Sequence, residues 1–499
     1  MRLSLRPAFA WLWTLAATLL LTPNISAAEK PNVLFIAIDD LNDWVTPLSG
    51  HPQVKTPHMD RIARRGVTFK NAHCQSPLCN PSRTSLMSGL RPSTTGVYAL
   101  QPWLRTVEGF EDWVMLPQYF EQHGYVTMST GKVYHDAYPP AEDRRDGPEF
   151  TRWGFKGGFH PRPDRPIVPD ATHPLVDWGV FPERDEQQDD YKVASWAVEQ
   201  LKNLPEDKPF FLAMGIRHPH VPLYATQQWF DLYPPDTLFT PPVLPGDRND
   251  TPDFSWYLHW KLPEPRLKWV AERRQWIKKV RAYLASVSFA DAMVGRALDA
   301  LEASGEADNT IVVLWSDHGY HLGEKLITGK NTLWRESTRV PLLIAGPGVS
   351  ADSRCDQPAE LVDLYPTLVD LAGLPERDGL DGVSLVPQLQ APTTPRTRPA
   401  ITTHGPHNHS VVTTDWRYIQ YADGSKELYD LKRDPREWHN LARDPAYETK
   451  IAELAQYLPA QNAAPVPGSK TRLVELKDGT VYWQSEAIDP NAPPPANPK

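Results

Sequence analysis

The sequence predicts an α/β fold in which a large mixed, mostly parallel sheet is sandwiched by helices, with a smaller C-terminal α+β domain. Three observations carry this. Short, continuously apolar runs end in acidic residues, the pattern of strands buried on both faces of a parallel sheet. Helical periodicity fills the intervals between them, as strand-helix-strand units require. After about Pro395 the texture changes to short alternating segments with turn residues, the pattern of an antiparallel sheet.

In chain order, Asn32-Val-Leu-Phe-Ile-Ala-Ile38 is the first apolar run and ends in Asp39-Asp40. Met59 to Arg65 reads as a helix, and Val126 to Ser129 and Phe210 to Met214 read as core strands. From about Lys279 to Ser304, Leu284, Val287, Ala290, Val294, Leu298 and Leu301 recur at helical spacing. Ile311 to Trp315 repeats the first strand's pattern and ends in Ser316-Asp317-His318-Gly319, and Pro341 to Ala345 is a further strand. Ligands of such sheets sit beyond the carboxyl ends of the strands, where both acidic clusters fall. The Pro- and Trp-rich stretches 139–182 and 232–269 are too long for ordinary connections and read as a substrate rim. Trp416 to Tyr421, the turn Asp423-Gly424 and Glu427 to Leu431 read as strands of the second domain. A helix near Tyr447 to Tyr457 and a hairpin at Lys477-Asp478-Gly479 complete it, and a tail from Asp489 reads as disordered. The boundaries implied are 29–394 for the main domain, 395–488 for the second and 489–499 for the tail.

Composition narrows the function classes. With 40% hydrophobic and 23% charged residues among 499, a sizeable core can form and global disorder is excluded. Fifty-two prolines, about twice the usual share, imply stiffened loops rather than a helical bundle. Arg2 and Arg6 precede an apolar run from Ala8 to Leu21, and Ser26-Ala27-Ala28 follows as a small-residue cleavage site, so 1–28 reads as a signal peptide. That run is shorter than the ~20 residues of a spanning helix, so no stable membrane insertion is expected. The mature protein is expected to be periplasmic or secreted. Its formal charge of −9, more negative still without the two arginines, argues against nucleic-acid binding. Cys74, Cys79 and Cys355 are an odd set, which leaves at least one free thiol and leaves open whether Cys74 pairs with Cys355.

The most specific string is Cys79-Asn80-Pro81-Ser82-Arg83, continuing to Ser88-Gly89. It resembles the C-x-P-S-R signature of the type I sulfatase family, in which the Cys is oxidised to Cα-formylglycine by a formylglycine-generating enzyme. The resemblance extends through Thr56-Pro57-His58-Met59-Asp60, Glu427-Leu-Tyr-Asp-Leu431 and Asn440-Leu441, with Ser88 for the commoner Thr and His58 for the commoner Asn. Gly131-Lys132-Val-Tyr-His135 and Ser316-Asp-His-Gly319 are most similar to the iduronate-2-sulfatase branch.

This resemblance implies an alkaline-phosphatase-like fold and hydrolysis of sulfate esters of sulfated carbohydrates, hence a role in polysaccharide degradation. Hydrated formylglycine offers two hydroxyls, one to attack sulfur and one whose deprotonation then expels sulfate. Asp39, Asp40 and Asp317 would supply hard oxygen ligands to Ca²⁺, with Mg²⁺ as the alternative, joined by His318 and the oxygen at position 79. Lys132 and Lys330 match the sulfate-binding lysines, His135 the base acting on the sulfated diol, and His220 the leaving-group acid or sulfate ligand. Arg83 adds charge against the sulfuryl oxygens, and Tyr320 offers an aromatic wall to the sugar, most readily a 2-O-sulfated uronate. His404, His407 and His409 read as a cleft lining without zinc. Two other classes stay open: a phosphonate or phosphodiester monoester hydrolase of the same fold, and a catalytically dead protein that binds sulfated polysaccharide.

Overall fold

Strands β1 (Asn32–Ile38), β2 (Gly66–His73), β3 (Val126–Gly131), β4 (Arg152–Trp153), β5 (Phe210–Ile216), β6 (Thr310–Ser316), β7 (Leu342–Ala345) and β8 (Ser353–Glu360) form one eight-stranded sheet in the order β8-β2-β7-β6-β1-β5-β3-β4. They are seen in a computed structural model that describes residues 30–135, 138–140, 149–171 and 173–495. The predicted signal peptide lies outside the described residues, as do parts of the 139–182 stretch. Among the described residues no helix is long and apolar enough to cross a membrane.

Every pairing in the sheet is parallel except those of β7, which runs antiparallel to both β6 and β2. The alternation of apolar side chains explains the sandwich. Leu34, Ile36 and Ile38 enter one core while Val33, Phe35 and Ala37 enter the other. Helices α1 (Pro57–Arg65), α2 (Cys79–Ser88), α3 (Leu116–Gln122), α4 (Asp189–Lys202), α5 (Trp276–Ala303) and α6 (Leu364–Leu371) cover these faces. Met59 of α1, Val193 of α4 and Val287 of α5 pack on the first face; Leu86 of α2, Phe120 of α3 and Leu368 of α6 pack on the second.

A four-stranded antiparallel sheet follows, β9 (Ala400–Thr403) to β12 (Lys426–Asp430) with β10 (His409–Val412) and β11 (Trp416–Gln420) between them in chain order. A hairpin of β13 (Val474–Lys477) and β14 (Thr480–Trp483) turns where Lys477-Asp478-Gly479 predicts. One expectation is corrected here in part. The tryptophan-bearing part of the 232–269 stretch is not a rim open to ligand, with Trp260 and Trp269 both buried. Phe254, Leu258, Trp260 and Leu262 pack with Trp334, Tyr421, Tyr429 and Trp483 in a third core, because so many large apolar groups are worth more buried than exposed. Further on, Ala492 lies against the same core, and Arg266 Nε donates to the Pro495 carbonyl at 3.4 Å.

A buried ion network ties β8 to the residues after α2 and to β9. Glu360 accepts both terminal nitrogens of Arg91, at 2.6 and 2.8 Å, and the amide of Ile401 at 2.9 Å. Burial by itself would raise the Glu360 carboxyl, but Arg91 holds it below its ordinary value. Stabilisation from this pair is therefore complete above the unfolded carboxylate range and is lost as the pH falls through the lowered value. Glu360→Ala leaves the buried Arg91 guanidinium unpaired and is expected to cost about 3–5 kcal/mol. Thermal unfolding checks this, and a variant that melts at the wild-type temperature would overturn it.

Candidate active site

The topology gathers the site at one edge of the sheet. Strands β1, β3, β5 and β6 are parallel, so the residues that follow them, Asp39-Asp40, Lys132, His218 to His220 and Asp317-His318, emerge on the same side. Because β7 runs back against β6, the whole 317–341 connection, including Lys330, stays on that side as well. Two glycines permit the closest approach. Gly131 has φ +72, and a Cβ there would lie 2.0 Å from the Gly215 carbonyl oxygen; a Cβ on Gly215 would meet the Lys132 carbonyl carbon at 2.2 Å. The Lys132 amide can then donate to the Gly215 carbonyl at 2.9 Å, which fixes where its side chain starts.

Cys79 is the first residue of α2, so the partial positive charge of the helix terminus faces it. Pro81 sits in the first turn, where its missing N–H leaves no helical bond unmade. Ser82 Oγ donates to the Asp317 carbonyl at 2.5 Å and docks the helix on the end of β6. Around Cys79 Sγ stand Lys330 Nζ at 3.2 Å, His318 Nε2 at 3.3 Å and Lys132 Nζ at 3.7 Å. Burial alone would raise this thiol; the charges of Lys132, Lys330 and His318 and a hydrogen bond with His135 hold it well below its ordinary value instead.

Four residues offer metal donors within 4.8 Å of one another: Asp39, Asp40, Cys79 and His318. Asp317 stands beside this group, its Oδ2 3.5 Å from His318 Nε2. Burial pushes the Asp317 carboxyl up to about 6. Burial acts on Asp39 in the same direction, but Lys132 overcomes it and holds that carboxyl well below the usual range. The donor set suits a hard divalent cation, and Asp40 Oδ2 is buried without a hydrogen-bond partner, as an oxygen kept for an ion would be. Lys330 contacts the other oxygen of Asp40 at 2.6 Å, and Lys132 pairs with Asp39.

The structure brings Cys79, Lys132, Lys330, Asp39, Asp40, Asp317, His318 and His135 together. His220 is near enough for its charge to act on Asp39, with its Nδ1 2.6 Å from the Val221 carbonyl oxygen. Two sequence-derived roles change. Arg83 is fully buried and binds Asp317 at 2.8 Å, Asp39 at 3.1 Å and the carbonyls of Lys132 and Val133, so it positions carboxylates rather than meeting sulfate. Tyr320 is 0% exposed and stacked on Tyr283 with centroids 5.7 Å apart, so its ring presents no wall to a sugar. His404 and His409 turn to different partners, Leu258 and Asn462, and His407 is exposed. Cys74, Cys79 and Cys355 are all free and buried. A cavity of about 700 Å³ opens elsewhere, between Trp44, Phe239, Arg335 and Trp438, and none of the cluster lines it; donor chemistry, not cavity size, locates the site. Ser82 lies within the signature, but its dock on the Asp317 carbonyl is not marked by any local pattern.

A family model described as Sulfatase matches residues 31–374. The chain belongs to the sulfatase family. A second model, described as N-sulphoglucosamine sulphohydrolase, C-terminal, matches residues 323–464 of this sulfatase. It is 42% identical over 450 residues to a sulfatase of Formosa agariphila, covering 87% of each chain. It is 30% identical to the choline-sulfatase of Rhizobium meliloti, over 86% of this chain and 85% of that one. It is also 30% identical to the iduronate 2-sulfatase of Mus musculus, over 70% of each. The solved structure of a 2-O GAG sulfatase matches with TM-score 0.66 and 26% identity, over 85% of this chain and 90% of that one. A phosphonate monoester hydrolase from Silicibacter pomeroyi shares the fold, with TM-score 0.68 at 21% identity over 91% and 99% of the two chains. The sulfatase is a sulfuric ester hydrolase with an alkaline-phosphatase-like fold.

Proposed function

We propose that this sulfatase is exported, with residues 1–28 removed, and that it cleaves a sulfate ester of a sulfated carbohydrate through a formylglycine made from Cys79. The substrate we assign is a 2-O-sulfated uronate of an acidic polysaccharide. One observation carries the mechanism: two ammonium groups and an imidazole converge on Cys79 Sγ within 3.2–3.7 Å, on the N-terminal turn of a helix. The iduronate 2-sulfatase and 2-O GAG sulfatase relatives support the uronate.

The formylglycine supplies, once hydrated, one hydroxyl to attack sulfur and a second to release sulfate. A divalent cation, Ca²⁺ with Mg²⁺ as the alternative, would be held by Asp39, Asp40, Asp317, His318 and the oxygen at position 79, and supplies positive charge to the nucleophile and the sulfuryl group. Lys132 and Lys330, on either side of position 79, bind sulfate oxygens and stabilise the charge that develops there. Arg83 fixes the carboxylates. His135, hydrogen-bonded to residue 79, accepts the proton whose loss expels sulfate.

His220 donates through Nδ1 to the Val221 carbonyl, which orients the ring and leaves Nε2 to protonate the leaving oxygen. A sugar alkoxide needs that proton, whereas a nitrophenolate does not. His220→Ala is therefore expected to lose roughly 10²–10⁴-fold on sugar sulfates and much less on 4-nitrophenyl sulfate. Equal losses on both substrates would reduce His220 to a sulfate ligand.

The test of the whole reading joins a mass spectrum of the Cys79 peptide with an assay of sulfate released from desalted glycosaminoglycan and algal oligosaccharides. A formylglycine mass and release from 2-O-sulfated uronates are expected. Activity confined to choline sulfate or neutral sulfated sugars would overturn the uronate, and faster turnover of aryl phosphonates than of any sulfate would overturn the preferred ester.

A further inference from the structure

Beside the sulfate-binding lysine stands a charged group that comes from the far end of the chain. The Arg472 guanidinium donates to Asn331 Oδ1 at 3.0 Å, and Asn331 follows Lys330, whose Nζ is 3.2 Å from Cys79 Sγ. Consecutive Cα atoms are about 3.8 Å apart, so Arg472 reaches the immediate neighbour of the sulfate site. Both Arg472 and Asn331 have left-handed backbones, φ +66 and +69, conformations that side-chain-bearing residues adopt at a cost. Arg472 also lies beyond both stretches matched by the family models, 31–374 and 323–464.

Behind the guanidinium is Glu264, whose side chain is 1% exposed and whose Oε2 lies 3.7 Å from Arg472 Nη2, too far for a hydrogen bond. That Oε2 is buried without a hydrogen-bond partner, and so is Nδ1 of His404, whose Nε2 is 3.3 Å from Asn331 Nδ2. The nearest cation to that carboxylate oxygen is Arg472, so the acid acts on the guanidinium through charge and leaves its donors to other acceptors. Burial would raise the Glu264 carboxyl, but Arg472 and Lys330 hold it below its usual value, so the pair is charged and the arginine is anchored from behind. An anchored guanidinium presents a planar fork of donors that matches a carboxylate.

We propose that Arg472 is a specificity residue that binds the sugar carboxylate of a sulfated uronate while Lys330 binds the sulfate, with Glu264 as its positioning residue. This rests on the uronate reading above. It assigns the selection of an acidic sugar to the C-terminal segment, apart from the chemistry at Cys79.

The test compares wild type, Arg472→Ala and Arg472→Lys on a 2-O-sulfated uronate oligosaccharide, on the same oligosaccharide with its carboxyl reduced to the alcohol, and on 4-nitrophenyl sulfate. Losing a charge-assisted bidentate contact is expected to lower kcat/KM on the carboxylate substrate roughly 10- to 100-fold for Arg472→Ala, chiefly through KM. The loss on the other two substrates should be at least tenfold smaller, and Arg472→Lys should recover part of the difference, since it keeps the charge without the fork. Residual aryl sulfate turnover shows that the variants are folded. Equal losses on all three substrates would make Arg472 structural, and uronate turnover insensitive to Arg472→Ala would overturn the proposal while leaving the uronate reading intact. A wild-type enzyme that ignores sulfated uronates yet hydrolyses neutral sulfated sugars would overturn both.

Discussion

Cys79→Ala is expected to lower kcat by at least about 10⁴-fold, the scale on which loss of an attacking group is felt in covalent catalysis, while the protein still folds. The fold should survive because the substitution deletes one sulfur at the first position of α2. The helix keeps its bond from Ser82 N to Leu78 O at 3.1 Å and its dock from Ser82 Oγ to Asp317. Lys132 and Lys330 keep their carboxylates, Asp39 and Asp40. Cys79→Ser is the sharper variant. Its hydroxyl stands where a nucleophile belongs but has no second hydroxyl to expel sulfate, so a single turnover ending in a sulfated side chain is expected, visible by mass spectrometry. Cys74 provides the control: it is fully buried, with Sγ 3.7 Å from the Ser337 carbonyl oxygen, and Cys74→Ala should retain turnover. Steady turnover by wild-type protein whose Cys79 is shown to be an unmodified thiol would overturn the assignment of the nucleophile.

The elements read from sequence were those whose signals are local. A strand buried on both faces is apolar along its whole length, so Asn32 to Ile38 and Ile311 to Trp315 identify themselves, and whatever follows them must lie at the sheet's edge. Lys330 was placed only by its likeness to the family. Its position depends on β7 running antiparallel, which no local pattern reveals. Burial in long loops was equally hidden. Tyr320 and the tryptophans of 232–269 have the composition of a sugar-binding rim, but α5 and the C-terminal strands, far away in sequence, cover them. Arg83 shows the same gap on a smaller scale: the signature marks it, yet only the fold shows that Asp39, Asp317 and two carbonyls occupy its donors.

Removing divalent cations with a chelator is expected to reduce kcat/KM by at least about 10²-fold, since a metal contributes several kcal/mol of charge stabilisation at such a centre, and to lower the melting temperature. The second effect follows from mass action, because an ion that binds only the folded state stabilises it, by about 2.7 kcal/mol at a hundred times its dissociation constant. The carboxylates are not left bare in its absence. Lys330 lies 2.6 Å from Asp40 Oδ1, which leaves Oδ2 for the cation, and Lys132 pairs with Asp39, so the ammonium groups offset part of the repulsion among the carboxylates. A protein stripped of metal should therefore stay folded while losing the charge that the cation would supply at position 79. Adding Ca²⁺ or Mg²⁺ back should restore both the melting temperature and activity, and the ion that does so at the lower concentration is the resident one. Asp40→Asn separates the two contributions. It removes a charged ligand and also releases Lys330 from its ion pair, so bound metal measured by elemental analysis should fall along with turnover, and excess Ca²⁺ should not rescue activity. Fully active protein that contains no divalent ion, or melting and turnover indifferent to the chelator, would show that the carboxylates of Asp39, Asp40 and Asp317 serve only to hold Lys132, Lys330 and Arg83 in place.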